Sequence, residues 1–290
     1  MTPATTSETF RIGGDMPVRR MGFGAMQLTG DGVWGPMVDQ ERGRLVLRRA
    51  VELGVTFIDT ADVYGPGDNE RLIRSSLAPY PSDLVIGTKA GLVRSGPATR
   101  ENPGISMDGS EAHIRRAVEG SLRDLGVDRI DLLQLHRVDP ATPLEETLGV
   151  LKSLREEGKI RHIGLSEVDV PEIERAQAIV EIATVQNIFN LAVRRRADVM
   201  HWCEAHGVAF IPFWPLHIET VAETETLKRV SEETGATPRQ VALAWLLQRS
   251  STTIVIPGTS SLAHLDENLG ASALHLTDVQ MEDLEKLGQT

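Results

Sequence analysis

A closed parallel α/β barrel, forming a single domain over residues 1–290, is the fold that this sequence predicts. Three observations lead there. Eight short runs of mostly consecutive apolar residues recur along the chain, the pattern of strands buried on both faces. Stretches of helical periodicity separate the runs, and alternating strand and helix mark a parallel sheet with right-handed crossovers. Asp59, Tyr64, Lys89 and His136 stand at or shortly after the carboxyl ends of such runs, on the face where parallel barrels hold their chemistry. Eight units favour closure over an open sheet.

In order, the strand candidates are Met21–Met26, Val55–Thr60, Leu84–Lys89, Ile130–His136, His162–Ser166, Thr184–Phe189, Val208–Trp214 and Thr253–Pro257. Ahead of them, Thr9–Ile12 and Val18–Arg20 flank Gly13-Gly14-Asp15 and read as an N-terminal β-hairpin that lids the bottom of the barrel. Ile114, Ala117, Val118, Ser121, Leu122 and Leu125 share one helix face, with Ser110 as N-cap and Gly126 as the stop. The next helix opens on a capping box: Thr142 as N-cap, Pro143 at the first helical position, Glu145 reaching back. Thr237-Pro238-Arg239-Gln240 repeats the device, and another Thr-x-x-Gln box opens a C-terminal helix over Thr277–Leu287. Two long loops follow strands: Gln27–Val38, with four Gly and Pro residues and Trp34, and Ala90–Gly109, with Arg94, Arg100 and Pro103. Both should overhang the carboxyl face.

A net charge of −11 disfavours a nucleic-acid binder, which needs a basic face. The one basic cluster, Arg194-Arg195-Arg196, reads as a solvated face or an anion contact leading into a helix. No run approaches the ~18 apolar residues of a membrane span. Met1–Glu8 lacks the basic and apolar regions of a signal peptide. The lone Cys203 excludes an internal disulfide framework, suits a reducing cytoplasmic compartment, and reads as a half-buried helix residue. Gly22-Phe23-Gly24-Ala25-Met26-Gln27 misses the dinucleotide glycine fingerprint, since a loop and no helix follows it. His201 and His206 do not share a helix face, and no metal site is expected.

The four polar residues make a proton-transfer set. Carbonyl reduction needs a proton on the oxygen that becomes an alkoxide, and a phenol with a pKa of about 10 is a weak acid for that task. A neighbouring ammonium favours the phenolate. Lys89 can supply this charge, Asp59 can hold Lys89 as its ion-pair partner, and His136 can orient the substrate oxygen. Taken singly, each residue has an ordinary structural role as its alternative. The joint pattern is stronger, because the chain has two tyrosines and one stands in Asp-x-x-x-x-Tyr-Gly.

Phe57-Ile58-Asp59-Thr60-Ala61-Asp62-Val63-Tyr64-Gly65 resembles the signature of the aldo-keto reductases. So do Gly87-Thr88-Lys89, Leu135-His136-Arg137-Val138-Asp139, Gly158–Ser166, Val185-Gln186-Asn187 and Ile256–Ser261, in order along nearly the whole chain. The resemblance implies a (β/α)8 TIM barrel that reduces aldehydes or ketones with NADP(H), NAD(H) being the weaker alternative. Asp59, Tyr64, Lys89 and His136 would be its catalytic tetrad, with Tyr64 the general acid. Gly24, Ala25, Met26 and Asp59 would line the cofactor, and Ser166 and Gln186 would hold the nicotinamide carboxamide. Phe213 would stack on the ring, beside Trp214, Pro215 and Leu216. Gly258, Thr259, Ser260, His264, Glu267 and Asn268 would surround the adenosine and its 2′-phosphate, where helix N-terminal amides suit an anion. The small-molecule carbonyl substrate would meet Trp34, Tyr64, Leu92 and His136, and a monomer is the default.

Several positions depart from the family pattern. Glu167 stands where asparagine is common, and Phe213-Trp214 where Tyr-Ser is common. Gly258 and His264 stand where some branches carry lysine and arginine. A histidine cannot match arginine's charged fork on phosphate, so a modest preference for NADPH is expected. Arg94, Arg100 and Arg137 leave room for an anionic substrate. Two other readings stay open: a nucleotide-binding redox-sensing module with slow turnover, and a lyase using Lys89 as a Schiff base, which a protonating Asp59 partner disfavours.

Overall fold

In the computed structural model, which describes residues 9–288, the apolar runs pair as parallel strands and the segments between them wind back as helices. The Met1–Glu8 stretch, expected to be no signal peptide, lies outside the described residues. The chain opens with β1 (Thr9–Ile12), β2 (Met16–Arg19), β3 (Phe23–Gly24), α1 (Gln40–Glu52), β4 (Phe57–Asp59) and α2 (Asp68–Leu77). Then come β5 (Val85–Ala90), β6 (Leu92–Arg94), β7 (Ile105–Met107), α3 (Glu111–Leu125), β8 (Ile130–Leu135) and α4 (Leu144–Glu156). β9 (Ile160–Ser166), α5 (Val170–Gln177), β10 (Ile182–Ile188), α6 (Ala197–His206) and β11 (Ala209–Phe213) continue the alternation. Helices α7 (Glu225–Thr234), α8 (Pro238–Arg249), α9 (Leu262–Gly270) and α10 (Asp278–Glu285) complete it.

The parallel sheet runs β11-β10-β9-β8-β5-β4-β3. The run Thr253–Pro257, expected as an eighth strand, makes only isolated parallel bridges, Val255 with Met21 and Thr253 with Phe210. Pro257 has no N–H to extend the ladder. Backbone bonds still join both edges through this segment: Gly22 N donates to Val255 O (2.8 Å) and Ile254 N to Phe210 O (2.9 Å). The sheet is thereby closed into the expected barrel. The seam is tight. A Cβ on Gly24 would lie 2.6 Å from Ile256 O, and one on Gly258 would lie 2.6 Å from Gly24 O, so neither position has room for a side chain.

Alternation along the strands decides what fills the barrel. Phe57, Val85, Leu132, Ile211 and Ile254 form one buried cluster with Ile12, Met16 and Val18, so the β1–β2 hairpin plugs the bottom as expected. Asp15 pins the plug, accepting from Arg161 Nη2 (2.8 Å) and lying 2.6 Å from His162 Nε2. Further along the same strands the positions two or four residues on are Asp59, Lys89 and Gln134, which makes the upper layer polar.

Ser110 and Gly126 bound α3 as expected, and the Thr237 and Thr277 boxes both form. Thr142 does not cap α4. Pro143 takes that position without a side-chain bond, and the Thr142 hydroxyl donates to Asp139 Oδ2 (3.0 Å) instead. The same carboxyl accepts from the amides of Gly109 and Ala141, which hold it below the usual carboxylate range. The long loop after Lys89 contains an antiparallel hairpin, β6 with β7. Cys203, expected half-buried, is wholly buried, and burial pushes its thiol up to about 12. Arg194 leaves the expected surface cluster: it lies 4.5 Å from the Trp245 ring and donates to Glu285 Oε2 (2.9 Å) and Leu284 O (2.7 Å), pinning α10. Among the described residues, no helix is long and apolar enough to cross a membrane.

The seam yields a stability prediction. Gly258→Ala should cost about 1–3 kcal/mol through overpacking against Gly24 O. Urea denaturation measures it, and an unchanged midpoint would show that the seam has slack.

Candidate active site

Asp59 ends β4, Lys89 lies near the end of β5, and His136 follows β8 directly, so the barrel turns three distant segments toward one point. Tyr64 reaches it from the turn after β4, its N–H bonded to Ala61 O (3.1 Å). Lys89 is wholly buried and donates to Asp59 Oδ1 (2.6 Å) and Thr60 O (2.8 Å). Its Nζ lies 5.2 Å from the Tyr64 ring centroid. The Tyr64 and His136 rings meet edge to face, 6.1 Å between centroids. Leu92 packs with Ala61, Val63 and Tyr64 in a small apolar wall. Trp34, on its loop, is 40% exposed.

Burial and charge oppose each other here. Burial alone would push the Lys89 ammonium down, but the Asp59 carboxylate and the Tyr64 phenol outweigh it and the net shift is upward. A protonated Lys89 leaves no neutral amine for a Schiff base. Tyr64 differs from expectation: burial raises its pKa, and Lys89, pulling it down, only partly offsets that rise. His136 is held well below its ordinary value, by burial first and then by Lys89, Arg137 and Arg94. It is therefore neutral near neutral pH, and its Nδ1 is buried without a partner among the described residues. Behind Lys89, buried Glu70 accepts from Thr88 Oγ1 (2.6 Å), and burial pushes its carboxyl up to about 7 against the pull of Thr88 and Ser121.

The other expected site residues sit near strand ends, on the connections that follow them and on α9. Gly24 ends β3, and Ala25 and Met26 form a 3-10 turn whose Ala25 O accepts from Asn69 Nδ2 (2.9 Å). Ser166 ends β9 and accepts from Arg137 Nη1 (3.0 Å). Gln186 of β10 donates to Asp59 Oδ2 (2.9 Å). Phe213 ends β11, with the Arg137 guanidinium 5.6 Å from its ring. Trp214 follows at φ 52° and 53% exposure, and Pro215 and Leu216 continue the turn closed by His217 N to Trp214 O (3.1 Å). Glu167, also left-handed at φ 57°, accepts from Ile188 N (2.7 Å), so its carboxylate is engaged by the neighbouring strand. Thr259 Oγ1 accepts from Ser261 N (3.0 Å), and Ser261 caps α9 through His264 N (3.4 Å). Glu267 is drawn to Thr237 Oγ1 (2.6 Å). Asn268 is 1% exposed, yet neither its Nδ2 nor its Oδ1 has a partner among the described residues. Buried amides are ordinarily satisfied, so this one suits a ligand with donors and acceptors, such as a nucleoside.

Sequence reasoning missed Gln134, whose Nε2 donates to Asp59 Oδ2 (3.2 Å). Its signal was present: a polar residue in the run Leu132-Leu133-Gln134-Leu135, two places before His136. Arg94, considered for an anionic substrate, donates instead to the carbonyls of Val63 (3.1 Å), Gly32 (3.3 Å) and Pro103 (3.3 Å), tying the overhanging loops together. No cluster of potential metal ligands occurs among the described residues.

Residues 20–289 match the aldo/keto reductase family. Pyridoxine 4-dehydrogenase of Escherichia coli (strain K12) is 43% identical over 291 residues, covering 98% of this chain and 99% of that protein. The solved structure of glycerol dehydrogenase from Gluconobacter oxydans is similar at a TM-score of 0.87 and 26% identity, over 98% of this chain and 95% of that one. An aldo/keto reductase from Klebsiella pneumoniae, in complex with NADP and acetate, is similar at a TM-score of 0.81 and 25% identity, over 97% and 95% of the two chains.

Glu70 sets a pH dependence of stability. Its folded value of about 7 exceeds the ordinary 4.5, so the folded state binds its proton more tightly than the unfolded state. That contribution, on the order of 3 kcal/mol, is fully present below the unfolded value and is lost as pH rises through the folded one. Glu70→Gln cannot ionise and should flatten the decline in unfolding free energy between about pH 5 and about pH 8. Chemical denaturation across that range measures the slope, and a mutant that declines like wild type refutes the assignment.

Proposed function

The chain belongs to the aldo/keto reductase family, and on that footing we propose that it reduces an aldehyde or ketone to an alcohol with NADP(H), Tyr64 acting as general acid. One observation carries the reading: a buried Lys89, fixed 2.6 Å from Asp59 Oδ1, stands 5.2 Å from the centre of the Tyr64 ring. When bound, the nicotinamide supplies the hydride. Tyr64 donates its phenolic proton to the carbonyl oxygen as negative charge gathers there. Burial keeps the phenol protonated until that moment, and the Lys89 charge stabilises the phenolate left behind. Neutral His136 can offer the same oxygen an N–H without competing as an acid. Asp59 acts by holding Lys89, and Gln134 and Gln186 hold Asp59.

The residues expected at the carboxamide fit it in donor and acceptor sense. Ser166 Oγ accepts from Arg137, which leaves its O–H to donate to an amide carbonyl. Gln186 Nε2 donates to Asp59, which leaves its Oε1 to accept from an amide N–H. Phe213 offers its ring for stacking, and Asn268 offers the adenosine end an unsatisfied amide. Trp34, Leu92 and Trp214 give the substrate an aromatic and apolar surround. The Escherichia coli relative, named a pyridoxine 4-dehydrogenase, makes pyridoxine and the aldehyde formed from it the first substrates to test.

Tyr64→Phe should lower kcat by about 10²–10⁴-fold and leave NADPH binding intact. Loss of reduced-nicotinamide absorbance reports the first, fluorescence titration the second; a kcat close to wild type would remove Tyr64 from its role. Trp34→Ala should change kcat/KM unevenly between bulky and small carbonyl compounds. An equal loss for all of them, with a lower Tm, would make Trp34 a brace for its own loop.

A further inference from the structure

We propose that Arg42, on the first turn of α1, binds the 2′-phosphate of NADP(H) and sets the preference over NADH. The proposal rests on the reading that the adenosine end lies along residues 258–268. Arg42 Nε donates to Ser260 O at 2.7 Å, a contact between residues 218 apart in sequence. It fastens the guanidinium to the segment Gly258-Thr259-Ser260-Ser261 that leads into α9. The bond uses one edge of the guanidinium. Its two terminal nitrogens have no hydrogen bond or ion pair among the described residues. Nearby arginines of α1 differ: Arg44 pairs with Glu41 (3.2 Å) and Arg49 with Asp266 (3.3 Å).

The segment itself is short of fixed positive charge. A lysine cannot be accommodated at position 258, because any Cβ there would meet Gly24 O at 2.6 Å. His264 offers an imidazole, which lacks the charged fork of a guanidinium. Of the nearby carboxylates, Asp266 is turned to Arg49 and Glu267 to Thr237, and Asp39 accepts from the Arg42 amide (3.0 Å), so none is ion-paired with the Arg42 guanidinium. An anchored guanidinium with an open fork beside hydroxyls and helix amides is the arrangement that binds a phosphate dianion. The neutral 2′-hydroxyl of NADH offers it a single uncharged acceptor and no charge to pair. The buried, unpartnered Asn268 on the same helix is an independent sign that a ligand belongs here. Asn268 has no reason to distinguish the two cofactors.

The test is equilibrium binding of NADPH and NADH, followed by tryptophan fluorescence, in wild type and in Arg42→Ala, Arg42→Gln and Asn268→Ala. Arg42→Ala should weaken NADPH about tenfold or more and leave NADH unchanged, as expected for losing one charged hydrogen-bonding partner. Arg42→Gln retains a donor for Ser260 O without the charge, and should lose NADPH selectivity similarly. Asn268→Ala should weaken both cofactors alike. If the Arg42 variants change neither cofactor, or both equally, while Asn268→Ala weakens both, the Arg42 assignment is wrong and the adenosine placement stands. If Asn268→Ala and the Arg42 variants all leave both cofactors untouched, the placement fails with it.

Discussion

A wholly buried ammonium is tolerated only when its charge and its protons are met inside the protein. Lys89 meets that demand through Asp59 Oδ1 and Thr60 O, and much of the carboxyl face is arranged to keep it so. The second oxygen of Asp59 is bonded by Gln134 from β8 and Gln186 from β10. Four strands therefore converge on one ion pair. Removing any one partner leaves a charge or a polar group unpaired in a place where water cannot compensate, which couples the site to the integrity of the barrel.

The barrel can carry this polar layer because a separate layer beneath it is apolar. Strand alternation places Phe57, Val85 and Leu132 below and Asp59, Lys89 and Gln134 above, with the β1–β2 hairpin filling the lower end. The non-glycine residues in left-handed conformation, Val33, Glu167 and Trp214, all lie in connections on the carboxyl side. Such conformations persist only where surrounding contacts determine them. The Glu167 carboxylate bonded to Ile188 N and the Trp214 carbonyl bonded to Asn190 Nδ2 (3.0 Å) are contacts of that kind.

Two opposing effects govern the chemistry of the site. Burial raises the Tyr64 phenol and lowers the His136 imidazole, while Lys89 lowers both. The phenol is consequently kept protonated and the imidazole neutral. In the reduction proposed above, such a phenol would release its proton only when charge develops on a substrate, beside a neutral imidazole that would orient it.

The sequence alone determined the fold class, because it follows from local regularities, and it singled out Asp59, Tyr64, Lys89 and His136 as the proposed tetrad. Continuous apolar runs specify buried strands, and the polar residue ending each run must lie on the carboxyl face once the strands are parallel. The hairpin, the Ser110, Thr237 and Thr277 caps and the C-terminal helix were legible for the same reason. What the tertiary structure decided depends on groups that meet across the fold. Thr142 lies one place before the start of α4, where Pro143 takes the cap position, and its hydroxyl joins the Asp139 carboxyl that Gly109 and Ala141 also hold. The eighth strand shrank to bridges at a seam where Gly24 and Gly258 press backbone against backbone. The upward shift of Tyr64 came from burial, which no local spacing encodes, and the contact of Arg42 with Ser260 joins residues that only closure of the barrel makes neighbours.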